Sequence, residues 1–288
     1  MRWLVTGAEG MLGRDLVDAL ARRDDDVVRG VGRSDLDVTD AESVAEVLRA
    51  SVGAGDVVVN CSAWTDVDGA EEHEEAATLV NGTGVANLAE TCADLGARLV
   101  QLSTDYVFAG DATVPYPEGA PHAPLSAYGR SKMEGEIAVR THLPDDHLLV
   151  RTAWLYGAHG RCFPRTIAAA ARDRGALGVV DDQVGQPTWT RDVADVVVRL
   201  VDAKVPAGTY HATSSGQASW WEFAREVVAA AGLDPDIVAP TTSADLERPA
   251  ARPSWSVLGH DALVEQGIEP IGDWRERWRL AAPEVLGA

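Results

Sequence analysis

Tyr128 and Lys132 have the Tyr-x-x-x-Lys spacing that places two side chains on one face of a helix, one turn apart. A phenol near an ammonium group is a candidate acid–base pair, because a nearby positive charge favours the phenolate. Lowering a phenol pKa of about 10 by ~3 units requires roughly 4 kcal/mol of preferential phenolate stabilisation. Alone the pair is a weak signal, since a Tyr at a helix start is usually a packing residue and a surface Lys is usually solvated.

Three glycines, Gly7, Gly10 and Gly13, follow the first apolar run of the chain. Gly7 permits a tight strand-to-helix turn, Gly10 a close approach of the backbone to a pyrophosphate, and Gly13 contact between helix and strand. The spacing is Gly-x-x-Gly-x-x-Gly, which differs from Gly-x-Gly-x-x-Gly, and such a loop can also be a purely structural turn. Its position directly after the first strand predicts dinucleotide binding.

Arg33 follows the second predicted strand, where no acidic residue occupies the usual ribose-binding position. An arginine there can pair with a 2′-phosphate, which predicts NADPH in preference to NADH. The alternative is a solvated loop arginine, and it leaves NADH open.

Thr104 lies in Ser103-Thr104-Asp105, which ends another predicted strand upstream of Tyr128. In a reduction, Tyr128 would give its proton to a ketone oxygen as hydride arrives from a nicotinamide, while Thr104 hydrogen-bonds the same oxygen. The positive charge of an oxidised nicotinamide would add to that of Lys132 in lowering the phenol pKa. The joint arrangement predicts a carbonyl-reducing site.

The elements that must position these residues alternate between short β-rich runs and amphipathic helical stretches over the first 150 residues. This alternation predicts an α/β fold with a Rossmann-type doubly wound parallel sheet. Beyond about residue 155, two predicted helices over 161–174 and 191–201 are separated by loops rich in Gly and Pro. We expect an NADP(H)-binding domain over 1–155 with returning segments, and a smaller C-terminal substrate-binding lobe mainly over 156–288. The predicted strands are Trp3–Thr6, Val27–Val31, Val57–Asn60, Leu99–Ser103 and Leu148–Arg151.

The formal net charge is −20, which disfavours binding to nucleic acid or to an anionic membrane surface. An anionic substrate would therefore need a local cationic pocket.

The three cysteines have no metal-ligand spacing and leave an odd thiol under any pairing, so a disulfide framework is not expected. No signal-peptide pattern opens the chain and no apolar run approaches the ~20 residues of a membrane span, so a soluble cytoplasmic protein is expected.

The assembled motifs resemble those of the extended short-chain dehydrogenase/reductases and, within them, the dTDP-4-dehydrorhamnose reductase family. The resemblance runs nearly end to end, with the motifs in the family order. They are Gly7 to Gly13, Val59 to Thr65, Val67-Asp68 with Ala70-Glu71, Leu102 to Phe108, Tyr128-Gly129 with Lys132 and Gly135-Glu136, Arg151 to Trp154, Asp182-Gln183 with Gly185 and Pro187-Thr188, and Arg252-Pro253.

This resemblance implies reduction, with NADPH, of the 4-keto group of a dTDP-4-keto-6-deoxy sugar. It implies that Thr104, Tyr128 and Lys132 are catalytic. It also implies that Asp105 and Trp154 contact the substrate, although a buried core tryptophan is an alternative for Trp154. The implied cofactor contacts are Gly10, Met11 and Leu12 at the pyrophosphate, Asp37 and Val38 near the adenine, Ala63, Trp64 and Thr65 near the ribose and nicotinamide, and Tyr128 and Lys132 at the nicotinamide end.

Within this resemblance, Arg252 is interpreted as the partner of the nucleotide-sugar diphosphate, and its charge would meet the requirement for a local cationic pocket. Pro249 and Pro253 stiffen its loop, and a guanidinium can bind phosphate oxygens bidentately.

Two departures from the family pattern affect these interpretations. Cys61-Ser62 replaces small alanines and Trp64 replaces the usual aromatic or imidazole, which changes the expected shape of the nicotinamide pocket. Some similar proteins dimerise through a metal bridged by acidic side chains. Asp15 keeps one such acid, but Arg191 stands where another is expected, so no metal is predicted and the choice between monomer and homodimer stays open.

Three alternative functions differ from reduction in the residues that they require. A related 4,6-dehydratase would need an Asp-Glu pair after Thr104, whereas this chain has Asp105-Tyr106. A nucleotide-sugar 4-epimerase shares the Tyr/Lys pair and remains the alternative among enzymes. A non-catalytic regulatory subunit of the same fold need not retain Thr104, Tyr128 and Lys132 together. Within the reductases, the sequence leaves open which 4-keto sugar is reduced, for rhamnose or for antibiotic sugars.

Overall fold

The computed structural model describes residues 1–287, and strands alternate with helices through its first half. The strands are β1 (Arg2–Thr6), β2 (Val27–Val31), β3 (Val57–Asn60), β4 (Arg98–Thr104), β5 (His147–Thr152), β6 (Leu155–Tyr156), β7 (Leu177–Val180), β8 (Val184–Gly185), β9 (Thr188–Trp189), β10 (Gly208–His211), β11 (Ser214–Ser215), β12 (Ala218–Ser219), β13 (Val238–Thr241) and β14 (Ile271–Asp273). The α-helices are α1 (Met11–Leu20), α2 (Ala41–Arg49), α3 (Val67–Glu72), α4 (Glu74–Thr78), α5 (Gly84–Leu95), α6 (Ala127–His142), α7 (Phe163–Arg174), α8 (Thr190–Asp202), α9 (Trp220–Ala230), α10 (Asp261–Glu265) and α11 (Trp274–Leu286).

A six-stranded sheet with the order β10-β5-β4-β3-β1-β2 forms the centre of the molecule. All of its strand pairs are parallel. The strand order reverses between β1 and β3, and ligands of such sheets bind outside the carboxyl ends of the strands at this switch point. The prediction of a doubly wound α/β fold is therefore confirmed.

Helices cover both faces of this sheet, which explains why its inner strands are apolar throughout. The residues of β3 and β5 are all buried. Leucines of α1 and valines of α8 form the core on one face of the sheet. Residues of α2 and α5, together with Val139 of α6, form the core on the other face.

The predicted helices over 161–174 and 191–201 correspond to α7 and α8 with bounds shifted by one or two residues. Two elements beyond residue 155 contact the first part of the chain. Helix α8 packs on α1, and β10 pairs with β5 from Gly208 opposite Leu148 to His211 opposite Arg151. The division of the chain into two domains stays a prediction.

The remaining C-terminal elements build a second, aromatic core among α7, α9 and α11. Tyr156, Phe223, Trp274 and Trp278 are fully buried there, and their rings meet mainly edge to face. All three cysteines of the chain are free thiols. None of the helices within residues 1–287 is long and apolar enough to cross a membrane.

Candidate active site

The glycine loop between β1 and α1 lies at the switch point of the sheet. Gly7 has the left-handed φ of 62°, and a Cβ there would lie 2.7 Å from the main-chain carbon of Cys61 at the end of β3. A Cβ on Gly13 would collide with the Gly7 carbonyl. Gly10 precedes α1 without a side-chain cap, so the first N–H groups of this ten-residue helix have no side-chain acceptor. Such a cradle suits a pyrophosphate, and the residues present fit a dinucleotide.

Helix α6 brings Tyr128 and Lys132 to the carboxyl end of β4. Ser126 caps this helix by accepting a hydrogen bond from the Gly129 N–H at 3.1 Å. Gly129 lets the first turn approach the segment after β4, because a Cβ there would collide with the Tyr106 carbonyl. The rings of Tyr106 and Tyr128 meet edge to face with 5.6 Å between centroids.

The Tyr128 phenol is adjacent to Thr104 in a buried, acidic setting. Burial is the main cause that raises its pKa to about 12; the Asp105 carboxylate adds to the rise and the Thr104 hydroxyl opposes it. We predicted that Lys132 and an oxidised nicotinamide together lower this pKa, and this stays a prediction. The raised pKa keeps the proton on the phenol but makes it a weaker acid, so proton transfer to a substrate requires stabilisation of the phenolate.

Lys132 is buried, and its Nζ donates a hydrogen bond of 2.7 Å to the Leu102 carbonyl on β4. Burial lowers the pKa of this ammonium to about 8, against the opposing effect of Glu136. The lysine therefore fastens α6 to the strand that carries Thr104, a contact that the sequence spacing did not indicate.

Glu136, one turn beyond Lys132, collects several donors beneath the site. Its carboxylate accepts hydrogen bonds from Ser103 Oγ at 2.7 Å and from Arg151 Nη2 at 2.7 Å, and His122 Nε2 lies 2.8 Å away. Burial alone would raise the carboxyl pKa, but these partners hold it well below its usual range. The paired carboxylate and guanidinium fix Ser103, the neighbour of Thr104.

Asp105 points its carboxylate into the interior beside Thr104. It accepts hydrogen bonds from Thr104 Oγ1 at 3.0 Å and from Ser256 Oγ at 2.5 Å. Burial raises its pKa to about 6 in spite of these donors. Ser256 comes from the C-terminal part of the chain, and sequence reasoning did not find it.

Trp154 lies with its ring against a second tryptophan. It has the left-handed φ of 47°, a conformation that a bulky residue rarely adopts. Its ring stacks on Trp220 with centroids 3.5 Å apart and planes 5° apart. Gly185 makes room for this ring, because a Cβ there would lie 2.5 Å from Trp154 Cε2. Sequence reasoning missed Trp220, although Ser219 and Glu222 form the capping box of α9 around it.

A cavity of about 500 Å³ lies beside this aromatic pair. Tyr106 and Trp220 line it, together with two cations, Arg248 and Arg252. The Arg252 side chain is only 13% exposed, whereas that of Arg248 is 52% exposed. Arg248 was not predicted, although it precedes Pro249 as Arg252 precedes Pro253. The cavity thus combines an apolar wall with two guanidinium groups, which suits an anion attached to a ring.

The segment of Ala63, Trp64 and Thr65 follows β3 and is fixed by Asn81. The Trp64 N–H donates to Asn81 Oδ1 at 2.9 Å, and Asn81 Nδ2 donates to Ser131 Oγ on α6 at 2.9 Å. Asn81 lies in a π-helical turn over Leu79–Thr83, which no sequence pattern indicated. The predicted nicotinamide neighbours are thereby joined to α6.

The predicted adenine end contains Arg33, Asp37 and Val38. Arg33 is exposed, Val38 is buried, and Asp37 accepts hydrogen bonds from the N–H and hydroxyl of Thr39. The hydroxyl and N–H of Thr39 lower the pKa of Asp37, with Arg33 adding a smaller effect. The Glu9 carboxyl group also lies here, 2.7 Å from where a Cβ on Gly32 would be. Sequence analysis did not consider this acid.

Asp15 and Arg191, the positions considered for a metal bridge, interact with each other. Arg191 Nε lies 3.8 Å from Asp15 Oδ1, and Arg191 Nη2 lies 2.7 Å from Glu284 Oε1. The Thr190 hydroxyl donates to Asp15 at 2.5 Å. In this arrangement the arginine places its charge against the acid, and the absence of a metal stays a prediction.

A family model described as the RmlD substrate binding domain matches residues 1–285 of the chain. The chain belongs to this family. The expected resemblance to the dTDP-4-dehydrorhamnose reductases is confirmed by relatives that match over the full length.

Three relatives illustrate the similarity. A probable dTDP-4,6-dihydroxy-2-methyloxan-3-one 4-ketoreductase from Streptomyces antibioticus is 49% identical over 100% of this chain and 97% of its own. A dTDP-4-dehydrorhamnose reductase from Streptomyces griseus is 47% identical over 99% of this chain and 94% of its own. The crystal structure of the Bacillus anthracis dTDP-4-dehydrorhamnose reductase in complex with NADP has a TM-score of 0.91 and 33% identity, and covers 97% of this chain and 98% of that one.

Proposed function

We propose that this protein reduces the 4-keto group of a dTDP-4-keto-6-deoxy sugar with NADPH. The observation that carries the proposal is the placement of Tyr128 beside Thr104, with Lys132 one turn further along α6, at the switch point of a parallel sheet. Curated relatives named as dTDP-sugar 4-ketoreductases and dTDP-4-dehydrorhamnose reductases support the substrate class. The neighbour crystallised with NADP supports the cofactor.

Bound NADPH supplies the hydride. Tyr128 gives its proton to the 4-oxygen of the sugar, and the Thr104 hydroxyl turns its single proton from Asp105 to donate a hydrogen bond to the same oxygen. Lys132 holds α6 against β4 through the Leu102 carbonyl and presents a buried positive charge next to the developing phenolate. Gly10, Met11 and Leu12 at the start of α1 hold the pyrophosphate, and the Trp64 segment borders the ribose and nicotinamide.

The substrate occupies the cavity that adjoins Tyr106. Asp105 accepts a hydrogen bond from a sugar hydroxyl. The Trp220 ring lines the cavity and gives, with Trp154 stacked on it, an apolar surface for the 6-deoxy sugar and the base. Arg252, with Arg248 beside it, binds the diphosphate and supplies the local positive charge that a chain of net charge −20 requires.

We also propose that the chain is divided into a cofactor domain and a substrate lobe. Residues 1–155 with α8 and β10 form the cofactor domain, and most of 156–288 forms the substrate lobe. The protein acts in the cytoplasm without nucleic acid, membrane or bound metal, as a monomer or homodimer.

The alternative functions are those of a nucleotide-sugar 4-epimerase and of a regulatory subunit of this fold. An epimerase returns the hydride to its substrate, so it consumes no NADPH.

The test compares several dTDP-4-keto-6-deoxy sugars and the corresponding free 4-keto sugar, following NADPH oxidation and product stereochemistry. We expect oxidation with the nucleotide-linked sugars and very poor turnover of the free sugar. Arg252→Ala should raise KM for the dTDP-sugar more than it lowers kcat. Arg174→Ala, at an exposed position at the end of α7, is the matched control. Equal efficiency with the free sugar would contradict both the substrate class and the role of Arg252.

A further inference from the structure

The short helix α3 connects the two sides of the candidate site. It follows the Trp64 segment and carries Asp68 and Glu71, which have the i, i+3 spacing that places side chains on one face of a helix. Asp66 caps the helix by accepting a hydrogen bond from the Gly69 N–H at 3.0 Å. Neither acid is needed by the reaction as described above.

Asp68 contacts the loop that carries both cavity arginines. Its Oδ1 accepts a hydrogen bond from the Ala250 N–H at 3.2 Å. Its Oδ2 lies 2.9 Å from Arg252 Nη2 and 3.6 Å from Arg248 Nη1. One carboxylate therefore holds the main chain of the loop and the side chains at both of its ends.

Glu71 contacts the catalytic helix instead. Its Oε1 accepts a hydrogen bond of 2.9 Å from the N–H of Ala127, the residue before Tyr128. The Trp64 segment that leads into α3 is bound through Asn81 to Ser131, and the Ser131 hydroxyl donates to the Tyr128 carbonyl at 2.8 Å. Helix α3 thus connects the start of α6 to the arginine loop.

We propose that Asp68 is a positioning residue, which orients Arg252 relative to Tyr128 so that the diphosphate is bound with the 4-keto group at the phenol. This inference rests on the proposed function. Because Asp68 also binds the Ala250 N–H, it orders the backbone of the loop before substrate arrives, and an ordered loop loses less entropy on binding.

An alternative is that the Asp68 carboxylate occupies the place on Arg252 that a phosphate would take, and the contacts of Arg252 argue against it. Arg252 Nη1 donates to the Ala250 carbonyl at 3.2 Å, and its Nε–H has no acceptor among residues 1–287. The guanidinium lines the cavity while Asp68 and Ala250 hold it on other atoms. Phosphate oxygens can therefore bind Arg252 without displacing Asp68.

The experiment measures dTDP binding by calorimetry with NADP⁺ present, for the wild type, Asp68→Asn, Arg252→Ala and the double variant. Glu72→Gln is the matched control, because this exposed acid lies on the same helix and the change removes the same charge. Asp68→Asn should weaken dTDP binding about tenfold, which corresponds to about 1.4 kcal/mol. In the Arg252→Ala background the same change should have little effect, and Glu72→Gln should have none.

Steady-state kinetics supply the second readout. Asp68→Asn should raise KM for the dTDP-sugar about tenfold and leave kcat within about threefold, a split that general loss of folded protein cannot produce. Asp68→Ser, which retains a hydrogen-bond acceptor, serves as the second variant if Asp68→Asn does not fold.

Three results would overturn the inference. Tighter dTDP binding by Asp68→Asn would make the carboxylate a competitor of the phosphates. Unchanged binding would leave Asp68 without a role in orienting the loop, and an equal loss with or without Arg252 would place its effect elsewhere. All three require that the wild type binds dTDP. A wild type that does not bind dTDP would overturn the proposed function as well, so the two failures are distinguished.

Discussion

Lys132 Nζ lies 2.7 Å from the carbonyl oxygen of Leu102, two residues before Thr104 on the same strand. The contact fastens the second turn of α6 to β4 directly below the point where the Tyr128 phenol and the Thr104 hydroxyl meet. The Lys132 side chain therefore has two effects. It fixes the position of α6 relative to β4, and it places a positive charge inside the buried site.

The first prediction concerns the proton donor. Tyr128→Phe should lower kcat by ~10²–10⁴, because it removes the proton and leaves the ring. NADPH binding, measured by fluorescence titration, should be nearly unchanged. Tyr210→Phe is the control, because it makes the same change on β10, where the Tyr210 phenol donates to the Pro206 carbonyl at 2.9 Å. Wild-type turnover by Tyr128→Phe, with chemistry rate-limiting, would exclude the mechanism.

The second prediction concerns Lys132, which we expect to hold the ribose hydroxyls of the nicotinamide. Burial lowers the pKa of its ammonium to about 8, so the charged form is complete below that pH and lost above it. NADPH affinity should therefore fall as pH rises through about 8. Lys132→Met should bind NADPH more weakly, lose activity and lose this pH dependence.

Lys204→Met, at an exposed turn, is the control for the second prediction. Binding titrations at several pH values provide the measurement. If Lys132→Met keeps the wild-type dissociation constant for NADPH, the lysine has no role in cofactor binding.

The third prediction concerns the pH dependence of stability through Asp105. Its pKa is raised to about 6 in the folded protein by burial, so the native state holds this proton more tightly than the unfolded chain does. Protonation of Asp105 therefore raises the free energy of unfolding. This contribution is complete below the unfolded pKa of about 3.9 and is lost as pH rises through about 6. Between pH 5 and 7 the loss should be about 1 kcal/mol.

Urea unfolding of the wild type and Asp105→Asn at pH 5, 6 and 7 measures this contribution. The difference between their free energies of unfolding should change by the predicted amount across the series. A difference that stays constant with pH would show that Asp105 titrates normally.

The fourth prediction concerns the choice of cofactor. If Arg33 binds the 2′-phosphate, Arg33→Ala should weaken NADPH binding by about 1.5–3 kcal/mol with little effect on NADH. Glu9→Gln should favour NADPH, since it removes a carboxylate that lies against Gly32 beside the same position. Titration of each variant with both cofactors is the measurement. Equal losses for NADPH and NADH would remove Arg33 as the discriminating residue.

Much of the fold follows from local patterns. Alternating apolar runs and amphipathic stretches predicted the parallel sheet, since strands buried on both faces read as continuous apolar segments. The glycine spacing indicated the loop at the switch point, because the left-handed φ of Gly7 and the close approach of Gly13 to the Gly7 carbonyl are local to the turn. Helices α7 and α8 were placed to within two residues.

Contacts between distant segments were not predictable in this way. The stack of Trp154 on Trp220 depends on a left-handed backbone and on the space above Gly185, neither of which has a sequence period. The links through Asn81 and Asp68 join elements far apart in the chain. The rise of the Tyr128 pKa in the protein alone was not predictable either, because it depends on burial in the folded chain and on the Asp105 carboxylate.

The most direct test of the account uses NADPH that carries deuterium at the transferable C4 position of the nicotinamide. The product from a dTDP-4-keto-6-deoxy sugar is then isolated and analysed by mass spectrometry and NMR. We predict one deuterium at C4 of the sugar for each NADPH consumed, with a product that is a single C4 epimer. A product without deuterium at C4, or a change of configuration at C4 without consumption of NADPH, would contradict the assignment as a 4-ketoreductase.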